Sequence, residues 1–342
     1  MLSRALRPSL LSLHLFVVAL LFIAFVSAES FVYSQLSFSG KSLLAQMSDQ
    51  QNQHQHEDQS EAPLTVGFIG CGTIAAAIAT GLASQSLVPI NSICVSRRSE
   101  SKSSALAAQY PNLVTVHDEN QDIVDRCDVI FVCVLPQQMS EILQSLQFDS
   151  KRHTVVSLVS TSTLTGLADD TSLPSEQIYK CICLPAVAQQ EGICLVTPKS
   201  NDGKLLPLFE SLGGVVEATD EAQMSAMMVP SALMGSLYGM MKQSRDWLLQ
   251  NTGAGTGGMS KSDASYLVGR MFWGMMQDAE RRCREDDAFE ELIAEQTPGG
   301  LNEQALRNWS DMGALDDLDR VQDALLERIT GKGDGSIDAE GR

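Results

Sequence analysis

Two glycines, Gly70 and Gly72, follow a short apolar segment and precede a run of small, helix-forming residues. Gly70 permits a tight turn, Gly72 lets the backbone approach a phosphate, and the small Ala75 lets a helix pack closely on a strand. Free N–H groups and the positive end of the helix dipole would then face an anion. The pattern predicts a dinucleotide-binding turn, with a purely structural turn as the alternative. The predicted cofactor contacts are Gly70, Cys71, Gly72, Thr73 and Ile74.

A second group of polar residues, Ser96, Arg97 and Arg98, ends a segment predicted to be a strand at residues 92–96. An acidic side chain at this place would accept a hydrogen bond from a ribose 2′-hydroxyl and select NAD. Guanidinium groups instead suit a 2′-phosphate, because they offer several donors and a permanent positive charge. NADP is therefore the predicted cofactor, unless the two arginines are simply solvated on a loop.

A third candidate is the loop Thr297-Pro298-Gly299-Gly300, which lies between two predicted helices. Gly299 and Gly300 would leave backbone N–H groups unobstructed, and a helix is expected to begin near Leu301. The Thr297 hydroxyl could add another hydrogen bond. The loop therefore predicts a carboxylate-binding site, and the alternative is an ordinary turn between helices.

The elements that would position these groups alternate between strands and helices as far as Val155, which predicts a doubly wound α/β sheet. The nearly continuous apolar run at residues 128–134 is typical of a strand buried on both faces. Further strands are expected at residues 154–160, 178–184, 192–197 and 215–218.

Beyond Asp220 the pattern becomes helical, with stretches predicted at 221–251, 262–295 and 303–329. Methionines recur in helical phase along the first stretch. Packing in a core or a dimer is favoured over a ligand-binding surface. Helices that cannot cover their own apolar faces predict a homodimer or a higher homo-oligomer.

Composition narrows the possible partners of the 342-residue chain. The net charge of −18 argues against a nucleic-acid backbone as the main partner. Eight cysteines occur without a Cys-x-x-Cys pair, and Cys181 and Cys183 would share one face of a strand. Buried reduced thiols are favoured over a metal site.

The first 62 residues have the composition of targeting segments. Residues 1–28 combine two arginines, an apolar run at 10–26 and small residues before Glu29, which predicts a signal peptide or an uncleaved membrane anchor. Residues 29–62 predict a serine-rich transit segment followed by a disordered linker. Together they favour import into a plastid through the secretory route, with secretion or membrane anchoring as alternatives.

Four separated motifs resemble the pyrroline-5-carboxylate reductase family. They lie at residues 66–72, 128–137, 208–214 and 297–300. The resemblance implies a Rossmann-type NADP-binding domain at 63–219 and an all-α substrate and dimerisation domain at 220–331, followed by a disordered tail at 332–342. It also implies NADPH-dependent reduction of a cyclic imine, most simply 1-pyrroline-5-carboxylate to L-proline.

The resemblance assigns further site residues. Val134, Leu135 and Pro136 would contact the nicotinamide half of the cofactor. Thr297, Gly299, Gly300 and Asn302 would bind substrate, and Thr297 and Asn302 would orient it for catalysis.

The chain departs from the family where substrate and nicotinamide would bind. Leu135 stands in place of a lysine, and Leu301 and Asn302 replace two hydroxyl residues. The segments 182–186 and 229–235 also differ from the family pattern. Cofactor binding therefore carries over better than substrate identity.

Two other functions stay open at this stage. Gly235, Gly239 and Lys242 on one helix resemble a β-hydroxyacid dehydrogenase, in which Lys242 would act as acid or base. That family's expected asparagine is Arg245 here. The other possibility is a non-catalytic NADP-binding protein whose substrate loop no longer supports turnover.

Overall fold

The computed structural model describes residues 62–200, 203, 205–253 and 258–337. The predicted signal peptide or anchor, all but the last residue of the predicted targeting segment and linker, and the last residues of the predicted tail lie outside the described residues. Among the helices that are described, none is both long and apolar enough to span a membrane.

Eight strands form one sheet in the order β3-β2-β1-β4-β5-β6-β7-β8. All neighbours run parallel except β6 and β7, which are antiparallel. The strand order reverses at β1 and β4, so the predicted doubly wound, Rossmann-type fold is confirmed. The strands are β1 (Leu64–Ile69), β2 (Ile90–Ser96), β3 (Val114–His117), β4 (Val129–Val132), β5 (Thr154–Ser157), β6 (Ile178–Cys183), β7 (Gly192–Thr197) and β8 (Gly213–Glu217).

Apolar side chains on both faces hold the central strands in place. Side chains alternate along β4, so Phe131 enters the core on one face and Ile130 enters the core on the other. Phe131 stacks on Phe68 of β1, with ring centroids 5.0 Å apart. This two-sided burial fixes β1 and β4 side by side, and their carboxyl ends mark the candidate site.

Six helices contribute apolar side chains to these two cores. Those on the Phe131 side are α1 (Thr73–Ser84), α2 (Glu100–Gln109) and α6 (Leu205–Glu210). Those on the Ile130 side are α3 (Asn120–Arg126), α4 (Pro136–Gln144) and α5 (Leu164–Thr171). Helix α4 starts at Pro136, because proline suits the first position of a helix.

The chain beyond Asp220 is helical, as predicted, but each long predicted helix is divided. Pro230 ends the first at α7 (Glu221–Met228), since proline cannot donate a helical hydrogen bond. Gly313, with φ of 75°, separates the last two helices. The other helices are α8 (Met234–Asn251), α9 (Lys261–Arg282), α10 (Ala288–Ala294), α11 (Leu301–Asp311) and α12 (Ala314–Ile329).

The methionines of the helical part fall into two groups. Met224 and Met228 of α7 are buried against the sheet. Met271, Met275 and Met276 of α9 are exposed. The described side chains of α8 include no fully buried one, although α8 packs on α9. Packing within the described part of one chain therefore covers Met224 and Met228 but leaves the three α9 methionines exposed.

A buried lysine joins the sheet to the helical part. Lys180 of β6 donates to the backbone carbonyl of Ser162 at 2.5 Å and lies 3.5 Å from the Glu221 carboxylate at the start of α7. Burial lowers the pKa of the Lys180 ammonium, while the charge of Glu221 acts in the opposite direction. This contact was not anticipated from the sequence.

Candidate cofactor and substrate sites

The turn between β1 and α1 has the geometry that its glycines predict. Gly70 adopts φ of 94°, and a Cβ atom there would lie 2.6 Å from the carbonyl oxygen of Cys133. Only glycine fits this position without strain. An added Cβ at Gly72 meets nothing within 4 Å, so this residue faces open space. Gly72 is the N-cap residue of α1 and has no side chain to accept from the first N–H groups, and no acidic residue lies in the first turn, so this end of the helix can receive an anion.

A cavity of about 490 Å³ opens beside this turn. It brings together five of the predicted cofactor residues: Gly70, Ser96, Arg97, Arg98 and Val134. Four further residues line it that the sequence did not single out: Glu100, Asp118, Asn120 and Ile142. The other predicted cofactor residues lie outside its lining: Cys71, Gly72, Thr73, Ile74, Leu135 and Pro136.

The three residues at the end of β2 have different roles. Ser96 is buried, and its hydroxyl accepts a hydrogen bond from the N–H of Gly70 at 2.8 Å, so it fixes the turn. The Arg97 guanidinium donates to Asp118, which raises the pKa of Arg97. Arg98 is exposed in the cavity and forms no ion pair with any described residue. Arg98 is therefore better placed than Arg97 to bind a 2′-phosphate.

A lysine missed in the sequence approaches the glycine turn. The Lys102 ammonium of α2 donates to the hydroxyl of Thr73 at 2.8 Å. Thr73 is the first residue of α1, so this positive charge lies where the helix end already favours an anion. The contact spans 29 residues, and spacing along the chain offered no signal for it.

The nicotinamide-contacting residues predicted after β4 surround the start of α4. Val134 lines the cavity, Leu135 is 60% exposed, and Pro136 is the first residue of α4. An apolar side chain at position 135 provides no charge or hydrogen bond to a substrate.

The predicted carboxylate loop lies between α10 and α11, and its backbone N–H groups are not free as expected. The N–H of Gly299 donates to the Glu303 carboxylate, and the N–H of Gly300 donates to the carbonyl of Thr297 at 2.8 Å. The Asn302 amide donates to Gln296 at 2.7 Å. The side chain of Glu303, four residues after Gly299, therefore occupies the position expected for an external carboxylate.

The loop and the cavity are separate in the described part of one chain. Thr297, Gly299, Gly300 and Asn302 do not line the cavity beside the glycine turn. The structure thus gathers much of the predicted cofactor site and leaves the predicted substrate residues apart from it.

Lys242, the residue on which the dehydrogenase alternative depends, is paired and solvated. Its ammonium lies 2.8 Å from the Asp246 carboxylate, and its side chain is 67% exposed. Asp246 also pairs with Arg245 at 2.6 Å. Hydrogen bonds from Lys242 and Arg245 lower the pKa of Asp246. This exposed, ion-paired arrangement differs from the enclosed site in which a lysine would meet a substrate.

Comparisons with known proteins agree with this description. Residues 65–161 match a family model described as "NADP oxidoreductase coenzyme F420-dependent". The chain is 26% identical over 172 residues to pyrroline-5-carboxylate reductase 1 of Dictyostelium discoideum, covering 46% of this chain and 31% of that protein. It is 28% identical over 166 residues to pyrroline-5-carboxylate reductase 2 of Rattus norvegicus, covering 46% of this chain and 52% of that protein.

A solved structure supports the fold over a longer span. The pyrroline carboxylate reductase of Plasmodium falciparum with NADP bound has a TM-score of 0.62 and 17% identity, covering 79% of this chain and 98% of that one. The resemblance predicted from the motifs is confirmed by these similarities. The sequence matches span about half or less of the Dictyostelium and rat relatives, so activity and substrate remain to be argued.

Proposed function

We propose that this chain is an NADPH-dependent reductase of a cyclic imine. The observation that carries the proposal is the cavity that Gly70 of the glycine turn and Arg98 both line. The glycine turn leaves room for a diphosphate, and the Arg98 guanidinium, which pairs with no described residue, can bind a 2′-phosphate. The match to a family described as NADP oxidoreductase and the relative solved with NADP bound support this choice of cofactor.

The residues of the site would divide the binding of NADPH among them. Gly72, Thr73 and the start of α1 would hold the diphosphate, aided by Lys102. Arg98 would hold the 2′-phosphate, and Val134 to Pro136 would lie along the nicotinamide. The chemistry that a bound reduced nicotinamide supplies is hydride transfer to the carbon of a C=N bond. The protein's part is to orient the imine and to exclude water.

Reduction also requires a proton on the imine nitrogen. The sequence contains no histidine after His153. The helical part therefore has no histidine that could donate this proton. We propose that Thr297 and Asn302 orient the substrate and that the proton arrives on an already protonated imine, or from water or a hydroxyl. Asn302 would first have to leave its hydrogen bond with Gln296.

The substrate is most simply 1-pyrroline-5-carboxylate, with L-proline as product. Its carboxylate would have to displace Glu303 from the N–H of Gly299. NADPH oxidation should therefore be measured over a panel of cyclic imines with and without a carboxylate, and over 3-hydroxy acids with NADP. Oxidation of NADPH by imines, without turnover of 3-hydroxy acids, supports the reductase. Turnover of 3-hydroxy acids that is lost in Lys242→Ala would support the dehydrogenase, and binding without turnover would indicate a non-catalytic protein.

We propose a homodimer or larger homo-oligomer formed through the helical part. A groove of about 410 Å³ lies between α8 and α9 and is lined mainly by apolar side chains. Trp247 and Met271 line it and are themselves exposed. Burying such surface would be favourable. Light scattering should show at least two chains per particle, and a monomer would contradict the proposal.

We also propose that residues 1–62 direct the protein to a plastid through the secretory route. The paired signal-like and transit-like compositions support this proposal. A fluorescent protein fused after residue 62 should enter the organelle. Secretion or retention in a membrane would contradict it.

A further inference from the structure

Three cysteines outside the cofactor cavity converge in the core. Cys181 and Cys183 lie two residues apart on β6, so their side chains point to the same face. Cys194 of β7 lies opposite Cys183 in the antiparallel ladder. The three sulfur atoms all lie within 4.8 Å of one another. The Cys181 and Cys194 residues are 0% exposed and Cys183 is 8% exposed.

This spacing suits a shared metal ion. Zinc–sulfur bonds are about 2.3 Å long, and three sulfurs at that distance around one ion would lie about 4 Å apart in a trigonal plane. The three thiols are carried by two hydrogen-bonded strands. Small side-chain rotations could therefore bring them to bonding distance without moving the backbone. Thiolates are soft ligands, which select thiophilic ions such as Cu(I) over hard cations.

We propose that Cys181, Cys183 and Cys194 form a buried binding site for one thiophilic metal ion, and that this ion is Cu(I). In the described part of the chain, no histidine, carboxylate or fourth cysteine joins the group. A closed structural zinc site needs four ligands, whereas Cu(I) is satisfied by three sulfurs. As each sulfur–metal bond forms, an S–H bond breaks and its proton passes to water. No atom changes oxidation state, so binding requires no oxidant.

The location gives the site a route of entry and a link to the glycine turn. Cys183 is the last residue of β6 and the most exposed of the three, so an ion would enter beside it. The chain continues into a short 3₁₀ helix, Pro185–Gln189. Val187 of that helix packs so closely on α1 that a Cβ at Gly81 would lie 2.4 Å from its carbonyl oxygen. A bound ion would thus stiffen a segment that supports α1.

The test uses the purified full-length protein, reduced and kept without oxygen. Cu(I) is supplied as its complex with bathocuproine disulfonate, and the fall in the colour of that complex reports transfer to the protein. We expect one tightly held Cu(I) per chain. X-ray absorption should show about three sulfur atoms bonded to the copper. Because binding releases protons, the apparent affinity should fall as the pH is lowered.

Alanine variants locate the ion. Cys181→Ala and Cys194→Ala should each weaken Cu(I) binding by more than about 100-fold, since losing a group that merely orients a metal ligand already costs 10–100-fold. The double variant Cys94→Ala/Cys127→Ala removes two other buried thiols and should retain the ion. Cys283→Ala removes the exposed thiol and serves as a second control. Circular dichroism confirms that each variant is folded.

Several results would overturn the proposal. The proposal fails if the wild-type protein takes no Cu(I) from the chelator. It also fails if Cys194→Ala binds Cu(I) as tightly as the wild type. Loss of the ion in the Cys94→Ala/Cys127→Ala variant would place the site elsewhere. Tighter binding of Zn(II) than of Cu(I) in parallel titrations would overturn the choice of ion. If the alanine variants do not fold, a wild-type absorption spectrum without sulfur ligands would still contradict the site.

Discussion

Arg97 and Arg98 are adjacent in the sequence but differ in the partners of their guanidinium groups. Asp118 accepts from Arg97, and Glu100 lies 4.0 Å from it. Arg98 extends into the same cavity without an ion pair to any described residue. Selection of the phosphorylated cofactor should therefore depend mainly on Arg98.

Arg98→Ala should weaken NADPH binding about 10- to 100-fold, because a hydrogen bond to a charged group contributes about 1.5–3 kcal/mol. NADH binding should change little, because that cofactor lacks the 2′-phosphate. Calorimetric titration of both cofactors measures the difference. Arg126→Ala, at an exposed position outside the cavity, is the matched control. Equal losses for NADPH and NADH would place Arg98 elsewhere on the cofactor.

Lys102 should contribute to both cofactors, because the diphosphate that we assign to it is common to them. Lys102→Met should weaken NADPH and NADH binding about tenfold each, as expected for one lost hydrogen bond to a charged group. The same titrations measure both values, and Lys151→Met removes an exposed lysine as control. A loss confined to NADPH would instead assign Lys102 to the 2′-phosphate.

At the scale of elements, the β1–turn–α1 unit was predictable because local residues alone determine it. The apolar strand, the two glycines and the helix of small residues that form this unit all lie within about 20 consecutive positions. The sequence pattern predicted each of the long C-terminal helices as one element, although Pro230 interrupts the first of them and Gly313 the last. Contacts such as Lys102 with Thr73 join distant positions, so no local pattern could reveal them.

The two glycines of the turn should respond differently to alanine. Gly70→Ala forces a side chain into positive φ against the Cys133 carbonyl, which should cost about 1–3 kcal/mol of stability and abolish NADPH binding. Gly72→Ala meets no neighbour and should leave stability unchanged while weakening NADPH binding. Thermal unfolding and calorimetry separate the two effects. Normal NADPH binding by Gly72→Ala would contradict the assignment of this turn to the diphosphate.

Asp128, directly before β4, links that strand to β1 and to the turn that precedes β5. Its carboxylate accepts from the N–H of Thr65 at 3.1 Å and from Arg152 at 2.8 Å. Burial alone would raise the pKa of Asp128, but the hydrogen bonds from Thr65 and Arg152 outweigh it and hold that pKa below its usual value.

Asp128→Asn should therefore lower the free energy of unfolding by about 1–2 kcal/mol at neutral pH, through the loss of charge-assisted hydrogen bonds. The stabilisation by a carboxylate with a lowered pKa is present above the unfolded pKa of about 3.9 and is lost as the pH falls through the folded pKa. Urea unfolding should thus show the difference between wild type and variant shrinking below about pH 4. A difference that stays constant into acid would exclude the ionised carboxylate as its source.

At the scale of the whole molecule, the sheet and the helical part differ in how closely they follow the pyrroline-5-carboxylate reductase motifs that the sequence resembles. The sheet keeps the glycine turn and the cavity beside it. The helical part has the loop with Gly299 and Gly300, but the N–H of Gly299 already donates to the Glu303 carboxylate. The sequence motifs predicted a cofactor site and a substrate site. Only the structure shows that the substrate loop's Gly299 N–H already has an acceptor within the chain. Cofactor binding is therefore the part of the account on which every other proposal about the reaction depends.

Calorimetric titration of the purified protein with NADPH and with NADH tests that claim most directly. We expect saturable binding of about one NADPH per chain and weaker binding of NADH. Absence of heat and of saturation with both cofactors would contradict the account, whatever the fold.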